Sequence, residues 1–184
     1  MSRRGRSGTL TAEITLTNEK RMMLRHFLAA TAYRTQKALR DAPPSFGAFE
    51  AGHDVRTPAD LIRHMSSVLG YARTFFEGGS YRAEPLVDLD AEVARFHVLL
   101  EALSQHLASG TPLQGITEEQ LLQGPLSDVM THAGQLAVLR RLAGSPVAPE
   151  NFVYASVDPA NLGPKQADPV SPDGEWPERP RPAL

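Results

Sequence analysis

Two side chains that can bind a metal ion or move a proton stand four residues apart in the last third of the chain, Asp128 and His132. On a helix this spacing places both side chains on one face, where a carboxylate oxygen and an imidazole nitrogen can bind the same divalent ion. The alternative is an ordinary hydrogen bond or ion pair within the helix. Because such pairs often arise by chance, the spacing alone favours this ordinary interpretation.

A third ligand is available among the six histidines of the chain. His64 lies on or beside the apolar face of a predicted second helix, and metal sites in helical bundles form where inward side chains of facing helices converge. A His64/Asp128/His132 set would leave coordination positions free for water or substrate, as catalytic metal sites do. The chain has no cysteine, which excludes a cysteine-ligated zinc, a disulfide framework and a cysteine nucleophile.

Four segments with apolar side chains at helical spacing would position these residues. The predicted helices run from Thr17 to about Arg40, from Thr57 to the Gly78-Gly79 pair, from Asp88 or Asp90 to Gly110, and from about Leu126 to Leu142. Thr57 is a good N-cap, and Pro58 suits the first helical position. A further short helical turn begins at Thr117 and is broken by Gly124-Pro125. With no strand pattern, the sequence predicts an all-α fold, a four-helix bundle whose topology the long connections leave open.

Composition divides the chain into three parts. Residues 1–16 are predicted to be an N-terminal tail, residues 17–144 the bundle, and residues 145–184 an extended, proline-rich tail that packs on the bundle. Nine of the fifteen prolines lie in the last forty residues, where they disfavour helix. The large apolar side chains of this tail are expected to anchor it: Phe152, Val153, Tyr154 and Trp176.

Charge and hydropathy argue against several classes of function. The formal net charge is −2, so no strong field attracts nucleic acid or an anionic membrane. No apolar run approaches the roughly 20 residues of a membrane span, and the basic N-terminal residues lack the apolar stretch of a signal peptide. We therefore expect a soluble, cytoplasmic protein with neither a nucleic-acid nor a membrane partner.

The last and the second predicted helices resemble those of a known family. Residues 128–144, DVMTHAGQLAVLRRLAG, are similar to the last-helix signature of the DinB/YfiT-like superfamily. That signature reads His, three residues, His, any residue, Gly-Gln-Leu, then an Arg and a Gly at the helix end. Residues 57–65, TPADLIRHM, resemble the family's second helix with its ligand histidine. The resemblance spans residues 17–144, and the His-x-Gly-Gln-Leu element is its specific part.

This resemblance implies a four-helix bundle that holds a divalent ion, commonly nickel or zinc, through three histidines. By position, His64 would be the second-helix ligand and His132 the final one, while Asp128 stands where the first histidine of the last-helix pair is expected. Aspartate is a competent ligand but a harder, anionic one. The change would shift the preference toward zinc, manganese or iron, weaken the site, or accompany loss of the metal.

The resemblance also implies two alternative functions. One is a metal-dependent enzyme of unknown substrate, either a hydrolase or a transferase that uses a low-molecular-weight thiol as cosubstrate. The other is a non-catalytic, stress-associated or protein-interaction bundle that has lost the metal. A bundle of this size is also expected to form a homodimer.

Other residues of the last helix have expected supporting roles. Gly134 is expected to let another backbone approach closely, since glycine costs stability within a helix. Gln135 is expected to hydrogen-bond a ligand or a neighbouring helix. Arg140 and Arg141 suit the negative end of their own helix.

Overall fold

The computed structural model describes residues 5–179, with side chains from residue 15 onward, and its regular elements are helices. The four long helices are α1 (Gly5–Leu39), α2 (Pro58–Glu77), α3 (Leu89–Ser109) and α5 (Ser127–Leu142), and a short helix, α4, spans Glu118–Leu121. Within the described range the only β-type pairing is an isolated bridge between Glu150 and Pro172. The prediction of an all-α fold is confirmed.

Side-chain caps begin α2 and α3 at residues that the sequence marks. The hydroxyl of Thr57 accepts a hydrogen bond from the backbone N–H of Asp60 at 3.2 Å. Asp88, and not Asp90, caps α3 by accepting from the backbone N–H of Ala91 at 2.8 Å. Each cap satisfies a backbone donor that has no partner within the first turn of the helix.

The first helix is longer than predicted. It begins at Gly5 instead of Thr17, so residues 5–16 are helical and do not form an irregular tail, while residues 1–4 lie outside the described range. Once the later turns of α1 are packed, each added residue gains one hydrogen bond for the ordering of one residue, so the helix extends at little cost. A residue that can act as a cap therefore does not have to begin the helix.

The Gly124-Pro125 pair bends the chain without ending its helical course. A wide helical turn, Leu122–Leu126, joins α4 to α5, and only Gly124 departs from helical geometry, with φ −91° and ψ −106°. Proline removes a backbone donor and forces such a kink. The hydroxyl of Ser127 bonds the Leu122 carbonyl oxygen at 2.7 Å, which steadies the turn just before the residues of the candidate site.

The long helices form a ring in which each contacts two neighbours. α1 packs against α3 and α5, and α2 also packs against α3 and α5. The pairs α1/α2 and α3/α5 therefore lie diagonally across the core. Each long helix contributes a leucine that is at most 1% exposed: Leu28, Leu69, Leu100 and Leu136.

Residues 145–179 lie against α1 and are held largely by polar contacts. The hydroxyl of Tyr33 donates a hydrogen bond to Glu150 Oε1 at 2.6 Å, and the ammonium of Lys37 donates to the carbonyl oxygen of Ala148. The donors lie one turn apart on the same face of α1, which gives the segment a defined register on that helix.

A second anchor of this segment is the buried Leu162. Its carbonyl oxygen accepts a hydrogen bond from Nδ1 of His97, and Nε2 of the same ring accepts from the Gln36 amide at 2.6 Å. Both ring nitrogens are thereby satisfied in the neutral form, with one as donor and the other as acceptor. His97 therefore has a structural role.

Two of the four predicted anchors are not anchors. Val153 and Tyr154 are 84% and 63% exposed. Phe152 packs under the guanidinium of Arg34, whose central carbon lies 3.9 Å from the ring centroid, and Trp176 is partly buried. Besides Phe152 and the buried Leu162, polar contacts to main-chain carbonyls and to Glu150 hold this segment, and these produce no apolar pattern that the sequence could reveal.

Arg140 is buried and binds the end of α1, not the end of its own helix. Its guanidinium donates hydrogen bonds to the carbonyl oxygens of Ala38 and Arg40, at 3.1 and 2.9 Å, and to that of Ser145 at 2.8 Å. Carbonyls at a helix C-terminus lack partners within the helix and carry negative partial charge. Arg140 thus joins α1, α5 and the start of the C-terminal segment.

Substituting alanine for two helical glycines should change stability in opposite directions. A Cβ at Gly70 would lie 1.9 Å from the ring of Tyr81, whereas a Cβ at Gly134 meets no atom within 4 Å. Alanine is favoured over glycine in a helix by about 0.8–1.0 kcal/mol, so Gly134→Ala should raise the free energy of unfolding by up to that amount. Gly70→Ala should lower it by ~1–3 kcal/mol through overpacking. Urea unfolding measures the free energy of unfolding of both variants. A change of the same sign in the two would contradict the close packing at Gly70 and the open space at Gly134.

The His97 contact should make stability fall in acid. Burial lowers the pKa of His97 from its usual value, against the opposing effect of the Leu162 hydrogen bond. The unfolded chain takes up the proton below about pH 6.5, so the free energy of unfolding decreases as pH falls through 6.5 toward the folded-state pKa. Urea unfolding should be measured at about pH 7.5 and about pH 5.0. At the higher pH, His97→Gln should have a lower free energy of unfolding than the wild type. Between the two pH values, its free energy of unfolding should fall less than that of the wild type. An equal loss in both proteins would show that His97 does not carry the effect.

Candidate metal centre

The contact between α2 and α5 brings three possible metal ligands together. His64 lies in the second turn of α2, Asp128 in the first turn of α5 and His132 one turn later. One ligand atom from each of these side chains lies within 4.8 Å of the other two. The structure therefore groups the three residues that the sequence analysis proposed as ligands.

The two imidazoles and the carboxylate converge without bonding one another closely. Nε2 of His132 lies 3.4 Å from Asp128 Oδ1. The rings of His64 and His132 meet edge to face, with centroids 4.7 Å apart and planes at 78°. The 3.4 Å separation is longer than a strong hydrogen bond and lies within ion-pair range, so it fits both an ion pair within α5 and a set of ligand atoms around one ion.

A hydrogen bond to Gln135 fixes the tautomer of His132. Nδ1 of His132 donates to the amide oxygen Oε1 of Gln135 at 2.8 Å, which leaves the lone pair on Nε2. That nitrogen is buried and has no hydrogen-bond partner within the described residues. Histidines that bind metals commonly donate their second ring nitrogen to an oxygen in this way. The expected partner of Gln135 was a ligand or another helix, so its bond within α5 corrects that prediction.

The surroundings of His64 favour its neutral form. Burial lowers the pKa of His64, and the nearby charge of Arg56 and the His132 ring lower it further, while Asp128 opposes them. Only the neutral imidazole has a lone pair for a metal ion. Arg56, in the loop before α2, was not singled out from the sequence because nothing in its spacing links it to the site.

Burial decreases across the site from His132 to Asp128. The side chain of His132 is 9% exposed and that of Asp128 is 48% exposed, with His64 between the two. The site therefore has a protein floor and a side open to solvent. An ion bound there could be reached by a small molecule from the Asp128 side.

The remaining histidines lie apart from this group. His97 holds the C-terminal segment through Leu162, and His106 bonds Glu77 at 2.8 Å and stacks on Phe76. His26 and His53 are exposed. In the part of the chain that the structure describes, His64, Asp128 and His132 form the only group of three or more such residues with metal-binding spacing.

Gly134, next to the site, does not serve the role expected of it. No atom lies within 4 Å of the position of a Cβ there, so no other backbone approaches closely. The residue lies instead beside a cavity of about 230 Å³ between α1, α5 and the C-terminal segment. Gly70 is the glycine that makes a close approach possible, and it admits the ring of Tyr81.

Comparison with known proteins adds no family assignment. The chain matches no family model, and comparisons with curated proteins and with solved structures give no significant match. Among the described residues, no helix is both long and apolar enough to cross a membrane. The function of the protein is therefore inferred from its helical fold and from the geometry of the three side chains.

Removing the Gln135 side chain should weaken metal binding. Without the amide oxygen the His132 ring loses the partner that fixes its tautomer, and such changes typically cost 10–100-fold in affinity. Competition with a chromophoric chelator should show that loss for zinc in Gln135→Ala. Gln135→Glu, which keeps an acceptor, should bind as well as the wild type or better.

The matched control is Gln105→Ala, on the exposed face of α3, which should leave affinity unchanged. If Gln135→Ala binds zinc as tightly as this control, the hydrogen bond does not support a ligand.

Proposed function

We propose that this protein is a DinB-like metalloprotein that binds one divalent transition-metal ion through His64, Asp128 and His132. The observation that carries the proposal is the buried, unpartnered Nε2 of His132, which faces the other two donors. Leaving such a group unsatisfied costs about 1–3 kcal/mol, and a bound cation would remove that cost. The grouping of His64 opposite the last-helix pair supports the family resemblance of the sequence.

The donor set fits an ion of the zinc type. Imidazole nitrogen suits zinc, nickel and iron, and carboxylate oxygen suits harder ions such as manganese. With two neutral imidazoles and one carboxylate as ligands, the complex of a divalent ion would carry a net charge of about +1. Three neutral imidazoles would leave the full charge of the ion, about +2. We therefore favour zinc, with nickel, iron and manganese as alternatives.

The open side of the site supports a catalytic role more than a purely structural one. Structural zinc sites are usually closed by four protein ligands, whereas catalytic sites have three and leave a position open. When bound, the ion would supply Lewis-acid chemistry to a substrate group or to a thiol. The chain's own part is to hold the ion through His132 and His64, to orient His132 through Gln135, and to leave the Asp128 side accessible.

The reaction class that we propose is hydrolysis or transfer to a low-molecular-weight thiol. Either reaction would draw its nucleophile from solution, and the chain, which has no cysteine, offers no thiol of its own. Arg56, whose charge acts on His64, would favour a substrate with an anionic group near the ion.

The metal content of the purified protein tests this proposal. Elemental analysis of protein prepared without chelator, or dialysed against zinc, should give about one divalent ion per chain, since three protein ligands suit a single ion. His132→Ala and Asp128→Ala should each lose the ion. His26→Ala, an exposed histidine on α1, is the matched control and should retain it.

A protein that takes up no zinc, nickel, manganese or iron would overturn the proposal. So would full occupancy in His132→Ala. In either case the non-catalytic interaction bundle would be the better account of the fold.

A further inference from the structure

A cavity of about 250 Å³ lies where α1 ends, apart from the candidate metal centre. It is open to solvent on one side and is bordered by the last turns of α1 and α5 and by the C-terminal segment. Arg140 on its wall stands eight residues beyond His132 on the same helix (132 to 140), roughly 12 Å at 1.5 Å per residue. Its lining has three cationic side chains, Lys37, Arg40 and Arg140, and one acidic side chain, Asp41.

Arg140 brings a buried charge to this cavity without a carboxylate partner. It is 3% exposed, and every hydrogen bond of its guanidinium goes to a neutral oxygen, in the main chain or on the Ser145 hydroxyl. Its donors are all used, so it can offer a ligand its charge but no further hydrogen bond. A buried cation without an ion pair favours an anion nearby.

Lys37 brings a second buried charge together with free donors. It is 9% exposed, and its hydrogen bond within the described residues goes to the Ala148 carbonyl oxygen. An ammonium group has three N–H donors, so two remain. Val147 and Ala148 line the same cavity, and their backbone N–H groups form no hydrogen bond in the described part of the chain.

One acidic side chain acts on Lys37, and two others lie at the edge of the cavity. Glu150 is buried and acts on Lys37 through its charge; one of its oxygens accepts from the Tyr33 hydroxyl, and the other has no hydrogen-bond partner within the described residues. Asp168 pairs with Arg40 at 3.0 Å and is 95% exposed. Asp41 is the only acidic residue in the lining. The lining thus has three cations and one acid, and the pairing of Arg40 with Asp168 reduces the excess of positive charge to one.

We propose that this cavity binds a small oxyanion, of the class of inorganic phosphate or the phosphate group of a small metabolite, with the Lys37 ammonium as its principal ligand. The free N–H donors of Lys37, Val147 and Ala148 match the several acceptor oxygens of such an anion. The volume lies below the roughly 300–1,000 Å³ of pockets for drug-sized ligands, which limits the occupant to a small molecule. The site does not depend on the metal centre and would exist without it.

Calorimetric titration with inorganic phosphate, in sodium chloride of constant ionic strength, tests the proposal. The wild-type protein should bind about one phosphate per chain, and Lys37→Gln should bind it at least tenfold more weakly. Lys20→Gln is the matched control, because Lys20 lies on the same helix, away from the cavity, and is partly exposed, with Glu119 as its partner at 2.7 Å. It should bind as the wild type does.

Two further variants test whether a loss of phosphate binding comes from misfolding or from the metal centre. Should Lys37→Gln lack the native circular dichroism spectrum, Arg40→Gln takes its place, with a several-fold weaker affinity expected. His132→Ala should bind phosphate unchanged, because the candidate metal ligands lie elsewhere. Loss of phosphate binding in His132→Ala would assign the anion to the metal centre and overturn the proposal.

The source of the anion is decided by comparing ligands. Tighter binding of glycerol phosphate than of inorganic phosphate would identify a phosphorylated metabolite, and the reverse would identify the free ion. No saturable binding of either, or an equal loss in Lys37→Gln and Lys20→Gln, would show that the cavity is not an oxyanion site.

Discussion

The packing of α2 against α5 is the contact on which the candidate site depends. His64 follows Leu61 by three residues and precedes Met65, and both of these neighbours are buried in the core. His132 lies between Val129 and Leu136 on α5, at intervals of three and four residues that share one helix face. Burial of these apolar neighbours fixes both helices in rotation, so the two imidazoles must face each other.

The same geometry explains why the three ligands differ in exposure. His132 lies within the apolar stripe of α5 and is buried with it, while Asp128 precedes the buried Val129 and lies at the edge of the stripe. Burial removes water from Nε2 of His132, and Gln135 satisfies only the other ring nitrogen. The core thus creates a nitrogen with a lone pair and no protein partner, next to a carboxylate that remains in solvent. A divalent cation is the partner that suits both.

α1 has a separate function on each of two faces. Its apolar face, with Leu24 and Leu28, contributes to the core, and its polar face holds residues 145–179 through Tyr33 and Lys37. Arg140 closes this arrangement by bonding the carbonyls at the end of α1. As a consequence, charged groups are buried at a point where three parts of the chain meet, and this is where the cavity proposed to bind an oxyanion lies.

The sequence by itself determined the features that depend on near neighbours. The Thr57 cap, the four amphipathic helices and the placing of Asp128 and His132 on one face all depend on interactions over three or four residues. His64 was proposed as the third ligand from its place on or beside the apolar face of α2 and from the resemblance of residues 57–65 to the second helix of the DinB/YfiT-like superfamily. The start of α1 was missed because helix propagation leaves no local mark. The anchoring roles predicted for Val153 and Tyr154 were wrong because polar contacts, Phe152 and the buried Leu162 hold that segment.

Only the tertiary structure decided which helices are neighbours, which nitrogen of His132 lacks a partner, and where Arg140 and Lys37 place their charges. The helix neighbours and the positions of the two charges depend on contacts between residues far apart in the chain, and so does the burial of Nε2 of His132, although the Gln135 hydrogen bond to its Nδ1 is local to α5. Such contacts are set by how the apolar faces of four helices fill one core, and helical periodicity, which records only the direction of each face, does not contain that information.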